Sequence, residues 1–272
     1  MAHNSSLVLG EFLYHLNVGR SEGDEIIIVD SGSSDHEATR ALALQYDARL
    51  IACDQNIGYG AGSNLGCKSA ANVWLALVNP DVTVRLSDLR VLASEAERNN
   101  VQCIGPQIID AEGSSVHTAR NSIVPPWRMV RHLVYNEANL TFSESISGSC
   151  MVMPADRFQE VKGFDNYFFM FCEEIDLHTR LRAAGGRIAS TSAITVQTPG
   201  GGSSSTASRR WAVTERSVAH VRYTRKHFTL FEAAVDLLWR YFEIFRGGEF
   251  APRTLSLRQL TSGVFRPRQR RN

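Results

Sequence analysis

Four stretches of this sequence carry residues whose types and spacing could handle a phosphorylated, metal-bound substrate. Asp30 ends the β-branched run Ile26-Ile27-Ile28-Val29 and opens Ser31-Gly32-Ser33-Ser34-Asp35. Asp81 closes the apolar run Trp74-Leu75-Ala76-Leu77-Val78 through the break Asn79-Pro80-Asp81. Mg²⁺ and Mn²⁺ favour hard oxygen ligands, few protein carboxylates and the substrate's own phosphates, so one acid at a strand end with Asn79 beside it would serve. Asn-Pro-Asp is also an ordinary turn at a strand end. Two strands that both end on acids point to one cleft at one edge of a sheet.

Between those acids lies Asn56-Ile57-Gly58-Tyr59-Gly60-Ala61-Gly62-Ser63-Asn64. Its glycines allow close backbone approach, and the start of the following helix favours anions. It has neither the spacing nor the Lys of a Walker loop. The loop after Asp30 can cap the next helix and leave the Asp30 carboxylate free for a pyrimidine N–H or a ribose hydroxyl. Further on, Gly163-Phe164-Asp165 leads through Phe168, Phe169 and Phe171 into Glu173, Glu174 and Asp176. Acids in a first helical turn gain from the helix dipole. Like charges beside an apolar wall also raise a carboxyl's pKa toward that of a general base. Leu177 and Leu181 take the core-facing positions, which turns the acids toward a cleft.

Helical spacing over residues 6–19, 36–47, 60–72 and 86–98 alternates with strands at 26–30, 49–53 and 74–78. That alternation builds a mostly parallel sheet with helices on its faces. Ile104–Ile109 and Cys150–Met153 read as further strands, 111–147 as an irregular, substrate-facing segment, and Glu173–Ala184 as a helix. Residues 199–208 are Gly/Ser-rich and read as a mobile loop. Ala207–Arg246 is helical with a break near Thr229. In its last helix Glu232, Asp236, Arg240 and Glu243 form one polar stripe and the rest is apolar, a profile for packing on the core or a partner chain, or for lying on a membrane.

At 272 residues with a net charge of +1, the chain can bury a sizeable core and gives no electrostatic argument for nucleic acid. Arg266, Arg268, Arg270 and Arg271 make the end basic, either a solvated tail or a contact for anionic lipid. The five cysteines are widely spaced without a Cys-x-x-Cys pair, which argues against a disulfide framework or structural zinc and fits a reducing cytoplasm. Neither a spanning helix nor a signal peptide is read.

Together these motifs resemble glycosyltransferase family 2, inverting enzymes with a GT-A fold, and most of all its rhamnosyltransferase-like branch. The resemblance rests on Ile28 to Asp35, Asn56 to Gly60 with Asn64, Asn79-Pro80-Asp81, and Gly163 to Leu177 with Arg180, and covers roughly residues 4–205. It implies a Rossmann-like GT-A domain over 1–205, a helical appendage over 206–250 and a basic tail over 251–272. It also implies roles. Asp30, Ser33, Asn56, Gly58, Gly60, Asn64 and Asn79 would line the nucleotide-sugar site. Asp81 would hold Mg²⁺ or Mn²⁺ on the diphosphate. Glu174 would be the catalytic base, where Asp is usual, with Glu173 and Asp176 as supporting acids. The implied substrates are a nucleotide-diphosphate sugar and a glycan or lipid-linked acceptor in cell-surface polysaccharide synthesis. The implied place is the cytoplasm, at the inner face of the membrane or in a homo-oligomer through the C-terminal helices.

Three departures accompany the resemblance. Glu174 is one methylene longer than the usual base. Val196-Gln197-Thr198-Pro199-Gly200-Gly201 has no His where many relatives carry a metal or phosphate contact, so weaker metal binding is expected. His3-Asn4-Ser5-Ser6 matches the residues just after the family's first apolar strand, and the strand itself is absent. The expectation is two exposed strand edges and a start codon further upstream or a truncated product. These departures also favour an alternative, a catalytically silent sugar-nucleotide-binding or scaffold protein. A nucleotidyltransferase is disfavoured by the lack of a basic phosphate-gripping motif near the N-terminus.

Overall fold

The computed structural model describes residues 1–116, 119–120, 134–198 and 206–245. Helix α1 (Ser6–Leu16) leads to β1 (Ile27–Ser31), α2 (His36–Gln45), β2 (Arg49–Cys53), α3 (Tyr59–Ser69), β3 (Trp74–Val78), α4 (Leu86–Arg98) and β4 (Cys103–Ile109). Five short strands follow: β5 (Ser115–Val116), β6 (Ala119–Arg120), β7 (Tyr135–Glu137), β8 (Leu140–Phe142) and β9 (Ser145–Ile146). The chain continues through β10 (Cys150–Pro154), α5 (Ala155–Glu160), α6 (Glu173–Ala183), β11 (Ile188–Gln197), α7 (Thr206–His227) and α8 (Leu230–Phe245). The elements read from sequence up to residue 109 are all present, with ends shifted by one to three residues. Helix α5 and strand β11 were not read. The Ser and Thr of Ile188–Gln197 hide its period, yet it lies inside the sheet between β4 and β8 with its first four residues buried.

The α/β architecture matches the expectation, but the sheet is mixed rather than mostly parallel. The main order is β3-β10-β4-β11-β8-β7. β4 and β11 run parallel, whereas β10 inserts antiparallel between β3 and β4. β10 begins at the same end of the sheet where β4 stops, so this antiparallel neighbour needs no crossover helix. Side-chain alternation feeds two cores. Ile104, Ile108, Cys150 and Val152 pack with Leu9, Leu13, Leu89 and Leu92 of α1 and α4 on one face. Leu75, Leu77, Met151 and Met153 pack with Tyr59, Phe158, Leu177 and Leu181 of α3, α5 and α6 on the other. The five cysteines are free, with Cys103, Cys150 and Cys172 buried as small apolar groups.

The sheet is interrupted between β1 and β3. Among the described residues β1 and β2 pair only with each other, apart from a single parallel bridge between Ala2 and Asp30, and β3 pairs only with β10. The two exposed edges expected from sequence therefore exist, and they face one another across a slot. The slot has a volume of about 490 Å³ and is lined by both strands, by Phe12, Leu16 and Leu89 on one side and by Tyr59 and Cys67 on the other. A packed interior normally holds only a few voids of water size.

The C-terminal helices reverse one expectation. Ala233 and Asp236 of α8 are buried, and Asp236 lies 3.5 Å from His220 of α7. Leu230, Phe231, Leu238 and Trp239 are exposed. Asp236 of the polar stripe thus packs inward on α7 while Leu230, Phe231, Leu238 and Trp239 look outward, because α7 offers a titratable partner that the helical pattern of α8 alone could not show. Residues 251–272 and most of the Gly/Ser segment lie outside the described residues.

Candidate active site

Asp30, Asn56, Asn79, Asp81 and the α6 acids gather around one end of the sheet, each placed by a strand end or a helix start. Asp30 is buried at the end of β1, and its carboxylate is not free as the sequence suggested. One oxygen accepts the Ser33 N–H (3.3 Å) and the other lies 2.5 Å from Nδ1 of His36. The turn folds back so that His36, at the start of α2, reaches the strand end it follows. Asp35 does not cap α2 with its side chain. It accepts the Ser6 N–H at 2.9 Å, and the Ser6 side chain first, then that N–H, hold its carboxyl below the usual range against the opposing effect of burial. Ser33 Oγ accepts the Asn4 N–H, and Asn4 Oδ1 accepts the Ser34 N–H and hydroxyl. His3 Nδ1 lies 2.8 Å from the Ser31 carbonyl. Residues 3 and 4 therefore sit directly over the Asp30 turn, a role the motif reading missed. Only the match of His3-Asn4 to the segment after a strand pointed there.

The glycine loop is welded to the aromatic segment. Asn56 Oδ1 accepts the Gly58 N–H, and Ser31 Oγ accepts the Ile57 N–H. Gly58 has φ +86°, and a Cβ there would stand 2.2 Å from the Phe169 carbonyl oxygen, which accepts the Tyr59 N–H. Only glycine permits that backbone with that neighbour. Gly60 lies under Phe164. Asn64 stands apart from the cleft-lining group. Its amide donates to the Phe164 carbonyl and accepts the Phe164 N–H, both at 2.9 Å, so it braces α3 against the 163–166 turn.

Asp81 follows a fixed turn. The Asn79 N–H donates to the Ser149 carbonyl, and the Val82 N–H donates back to Asn79. The Thr83 N–H donates to Gln197, so Gln197 stands beside the acid's turn, in the stretch where many relatives carry His. Burial pushes the Asp81 carboxyl above its usual range. Among the described residues no ion pair of Asp81 offsets that burial, and no cluster of three His, Cys, Asp or Glu forms a protein-only cage. A lone, partly desolvated carboxylate suits a cation whose other ligands are phosphates and water, so the residues present fit Mg²⁺ or Mn²⁺.

The Ser147-Gly148-Ser149 turn, which the sequence reading passed over, connects this acid to the α6 acids. Ser149 holds Asn79, Tyr59 donates its hydroxyl to the Gly148 carbonyl at 2.9 Å, and a Cβ on Gly148 would meet Glu174 at 3.3 Å. Glu173 is buried, and one of its oxygens has no hydrogen-bond partner. Burial first, then the neighbouring Glu174 and Glu215, hold its carboxyl well above the usual range.

Asp176 departs from the expected cleft-facing position. It is fully buried against α7. Burial alone would raise its pKa, but the His227 contact (2.7 Å), Arg180 and Lys226 bring it down to about 2. The Lys226 ammonium bridges Asp176 at 2.5 Å and Asp165 at 2.6 Å. Both ends of the segment that carries Glu173 and Glu174 are thus pinned by α7, with Phe168, Ile175, Ala219 and Tyr223 as a small apolar core between them. Lys226→Met is expected to lower the melting temperature by several degrees and kcat by more than tenfold with donor KM nearly unchanged, and Lys226→Arg to restore most of both. Thermal melts and steady-state kinetics check this. Equal kcat in Lys226→Met and wild type would rule out a positioning role.

The backbone resembles solved glycosyltransferases. GalNAc-T7 with UDP, GalNAc and Mn²⁺ superposes with a TM-score of 0.57 at 12% identity over 91% of this chain and 50% of that one. The mannosyltransferase PcManGT from Pyrobaculum calidifontis, in complex with GDP-Man and Mn²⁺, gives 0.57 at 12% identity over 97% and 77%. This is the fold of the GT-A class of glycosyltransferases. Within that class the Glycosyl transferase family 2 profile matches residues 1–160, and the chain belongs to that family. An N-acetylglucosaminyl-diphospho-decaprenol L-rhamnosyltransferase of Mycobacterium tuberculosis is 28% identical over 205 residues, covering 65% of this chain and 67% of that protein. The chain thus spans two thirds of that relative and half of the first solved structure.

Proposed function

We propose that this chain is an inverting glycosyltransferase that moves a hexose, of the rhamnose type, from a nucleotide-diphosphate donor to a hydroxyl of a lipid-linked glycan acceptor in cell-surface polysaccharide synthesis. The observation that carries the reading is the convergence at one end of the fold. The Asp30 turn, the Asn56–Gly60 loop, Asp81 and Glu174 are joined by direct contacts through Phe169, Tyr59, Gly148 and Ser149. Asp30, Ser33 and Asn56 with its glycines form the nucleotide side. Asn79 fixes the turn of Asp81, whose carboxylate would hold Mg²⁺ or Mn²⁺. The bound cation would offset the charge that builds on the diphosphate as the sugar leaves. Glu174 takes the proton of the acceptor hydroxyl as its oxygen attacks the anomeric carbon from the face opposite the leaving group. A donor screen read by mass spectrometry of product and released nucleotide tests the reading. Absence of transfer and of donor hydrolysis with every nucleotide sugar would reject it.

The alternative, a silent sugar-nucleotide-binding protein, is favoured by the slot, which leaves Asp30 and Asp81 on separate sheets. Isothermal titration with nucleoside diphosphates and Mn²⁺, beside a hydrolysis assay, separates the two. Binding without turnover, unchanged in Glu174→Gln, favours the silent protein.

The proposed site of action is the cytoplasmic membrane surface, where a lipid-linked acceptor would lie. Among the described residues no helix is long and apolar enough to cross a membrane. The outward apolar face of α8 would instead lie on it, with the arginines of the tail near anionic headgroups. Leu238→Glu with Trp239→Glu is expected to lower binding to vesicles containing anionic lipid by at least about tenfold. Equal sedimentation of variant and wild type with those vesicles would reject membrane contact through this face.

A further inference from the structure

Helix α6 shows three different faces. Leu177 and Leu181 enter the apolar core under the sheet, while Asp176 and Thr179 meet His227 and Tyr223 of α7. The third face is the stripe Glu174, His178 and Arg182, each one helical turn from the next. It lies along residues 144–148 in reverse order. Arg182 pairs with Glu144 at 3.1 Å, His178 meets Ser145 at 3.0 Å, and Glu174 lies against Gly148, where a Cβ would stand 3.3 Å from the Glu174 Cβ. The Arg182 pair is partly exposed, and such pairs fix position weakly.

His178 is the fully buried member of the stripe. Its Nδ1 lies 3.0 Å from Ser145 Oγ and its Nε2 3.4 Å from Cys103 Sγ of β4. One ring therefore joins α6, β9 and β4. Burial first, then Arg182 and Arg180, bring its pKa down to about 3, so the ring is uncharged at neutral pH. An uncharged imidazole has one N–H and one lone pair, and a hydroxyl and a thiol can each serve either. Burial alone would be met by another leucine like Leu177 or Leu181. The imidazole adds direction, because a hydrogen bond fixes distance and angle where apolar contact does not. Ser145 leads directly into the Ser147–Ser149 turn, where Gly148 accepts the Tyr59 hydroxyl and Ser149 accepts the Asn79 N–H. The segment that His178 grips is thus the one that holds the turn of Asp81.

We propose that His178 is a positioning residue for sugar transfer: through Ser145 it sets the register of α6 on residues 144–148 and so fixes the Glu174 carboxylate relative to the Asp81 turn. The proposal rests on Glu174 as the base. His178 acts through Ser145 and α6, and a base displaced by about 1 Å can lose about a hundredfold in rate.

His178→Leu is expected to lower kcat for transfer at least about tenfold while nucleoside diphosphate affinity stays within about threefold of wild type. An Asn side chain places its amide where Nδ1 stands, and Gln where Nε2 stands. His178→Asn is therefore expected to restore kcat to within about threefold, and His178→Gln is not. Ser145→Ala is expected to match His178→Leu, and the double variant to lose no more than either single one. Amide exchange gives a readout without turnover. The Asn79 N–H, held by Ser149, is expected to exchange at least about tenfold faster in His178→Leu and Ser145→Ala, and within about threefold of wild type in His178→Asn. Wild-type kcat in His178→Leu, equal rescue by Gln and Asn, multiplied losses in the double variant, or a parallel loss of nucleotide affinity would overturn the proposal. If His178→Leu does not fold, Ser145→Ala decides, and wild-type kcat and exchange there overturn it. A chain without turnover is judged on exchange alone, and unchanged Asn79 exchange then overturns the positioning role. Failure of every transfer assay rejects the proposed function, and the exchange result separates that outcome from failure of the His178 contact.

Discussion

Asp81→Ala is expected to lower sugar transfer and donor hydrolysis by at least about a thousand-fold. The variant removes the only carboxylate placed at the Asn79 turn, where a divalent cation would bridge protein and diphosphate. The loss should appear in binding as well. Addition of Mn²⁺ should tighten nucleoside diphosphate binding to the wild type and leave the variant's affinity unchanged in isothermal titration. Unfolding is not the expected cause. The Asp81 carboxyl is raised by burial, so its ionised form is disfavoured in the folded chain at neutral pH. Removing a group whose folded pKa is raised leaves the melting temperature equal or slightly higher above the carboxylate range. A Mn²⁺ effect on nucleotide affinity that survives Asp81→Ala would move the cation elsewhere. Gln197, two residues of ladder away through Thr83, offers a neutral amide, so the metal should also be easier to remove by chelator than one held by a second charged or imidazole ligand.

The second large effect is expected at α6. Glu174→Gln should lower turnover by about a hundred- to ten-thousand-fold, the usual range for a general base, and leave nucleotide affinity within about threefold of wild type. Glu173→Gln is the control. Burial and Glu174 push the Glu173 carboxyl well up, which favours its protonated form, so its amide is expected to keep turnover within about tenfold. Steady-state kinetics with titration of the nucleoside diphosphate separate the outcomes. Equal turnover in Glu174→Gln and wild type would refute the assignment, and a larger loss in Glu173→Gln than in Glu174→Gln would move the base by one residue. The turn before this site is strained: Phe171 and Cys172 both take left-handed backbone, at φ +66° and +62°, and lead directly into the first turn of α6.

The lesson of the three α6 acids is that adjacent carboxyls of one type can be driven apart by what packs on them. In sequence Glu173, Glu174 and Asp176 look alike. In the fold the Glu173 carboxyl is pushed well up by burial and Glu174, Glu174 lies against Gly148, and Asp176 is an anchor for α7, brought down to about 2 by His227, Arg180 and Lys226. Lys226 and His227 lie some fifty residues further along the chain, and no local pattern ties them to α6. The same holds for Asp30, whose partner His36 is close in sequence but reaches it only because the Ser31–Asp35 turn folds back.

Much was determined by the sequence alone. Short continuous apolar runs and helical runs of period 3.6 placed β1 to β4 and α1 to α4, because local apolar patterning answers directly to what is buried. Gly58 and Asp81 stood out in the sequence as a glycine before a helix and an acid at a strand end, but the neighbour that demands glycine at 58 is the distant Phe169. What only the tertiary structure decided depends on non-local pairing. It inserted β10 antiparallel into the sheet, placed the polar-looking β11 inside it, turned the apolar face of α8 outward, and joined Asn79 to α6 through the Ser147–Ser149 turn. It also set the β1 and β3 edges across an apolar slot with one rung at Ala2. Strand pairing and burial are made between distant residues, and their energies are not written in any local stretch of the chain.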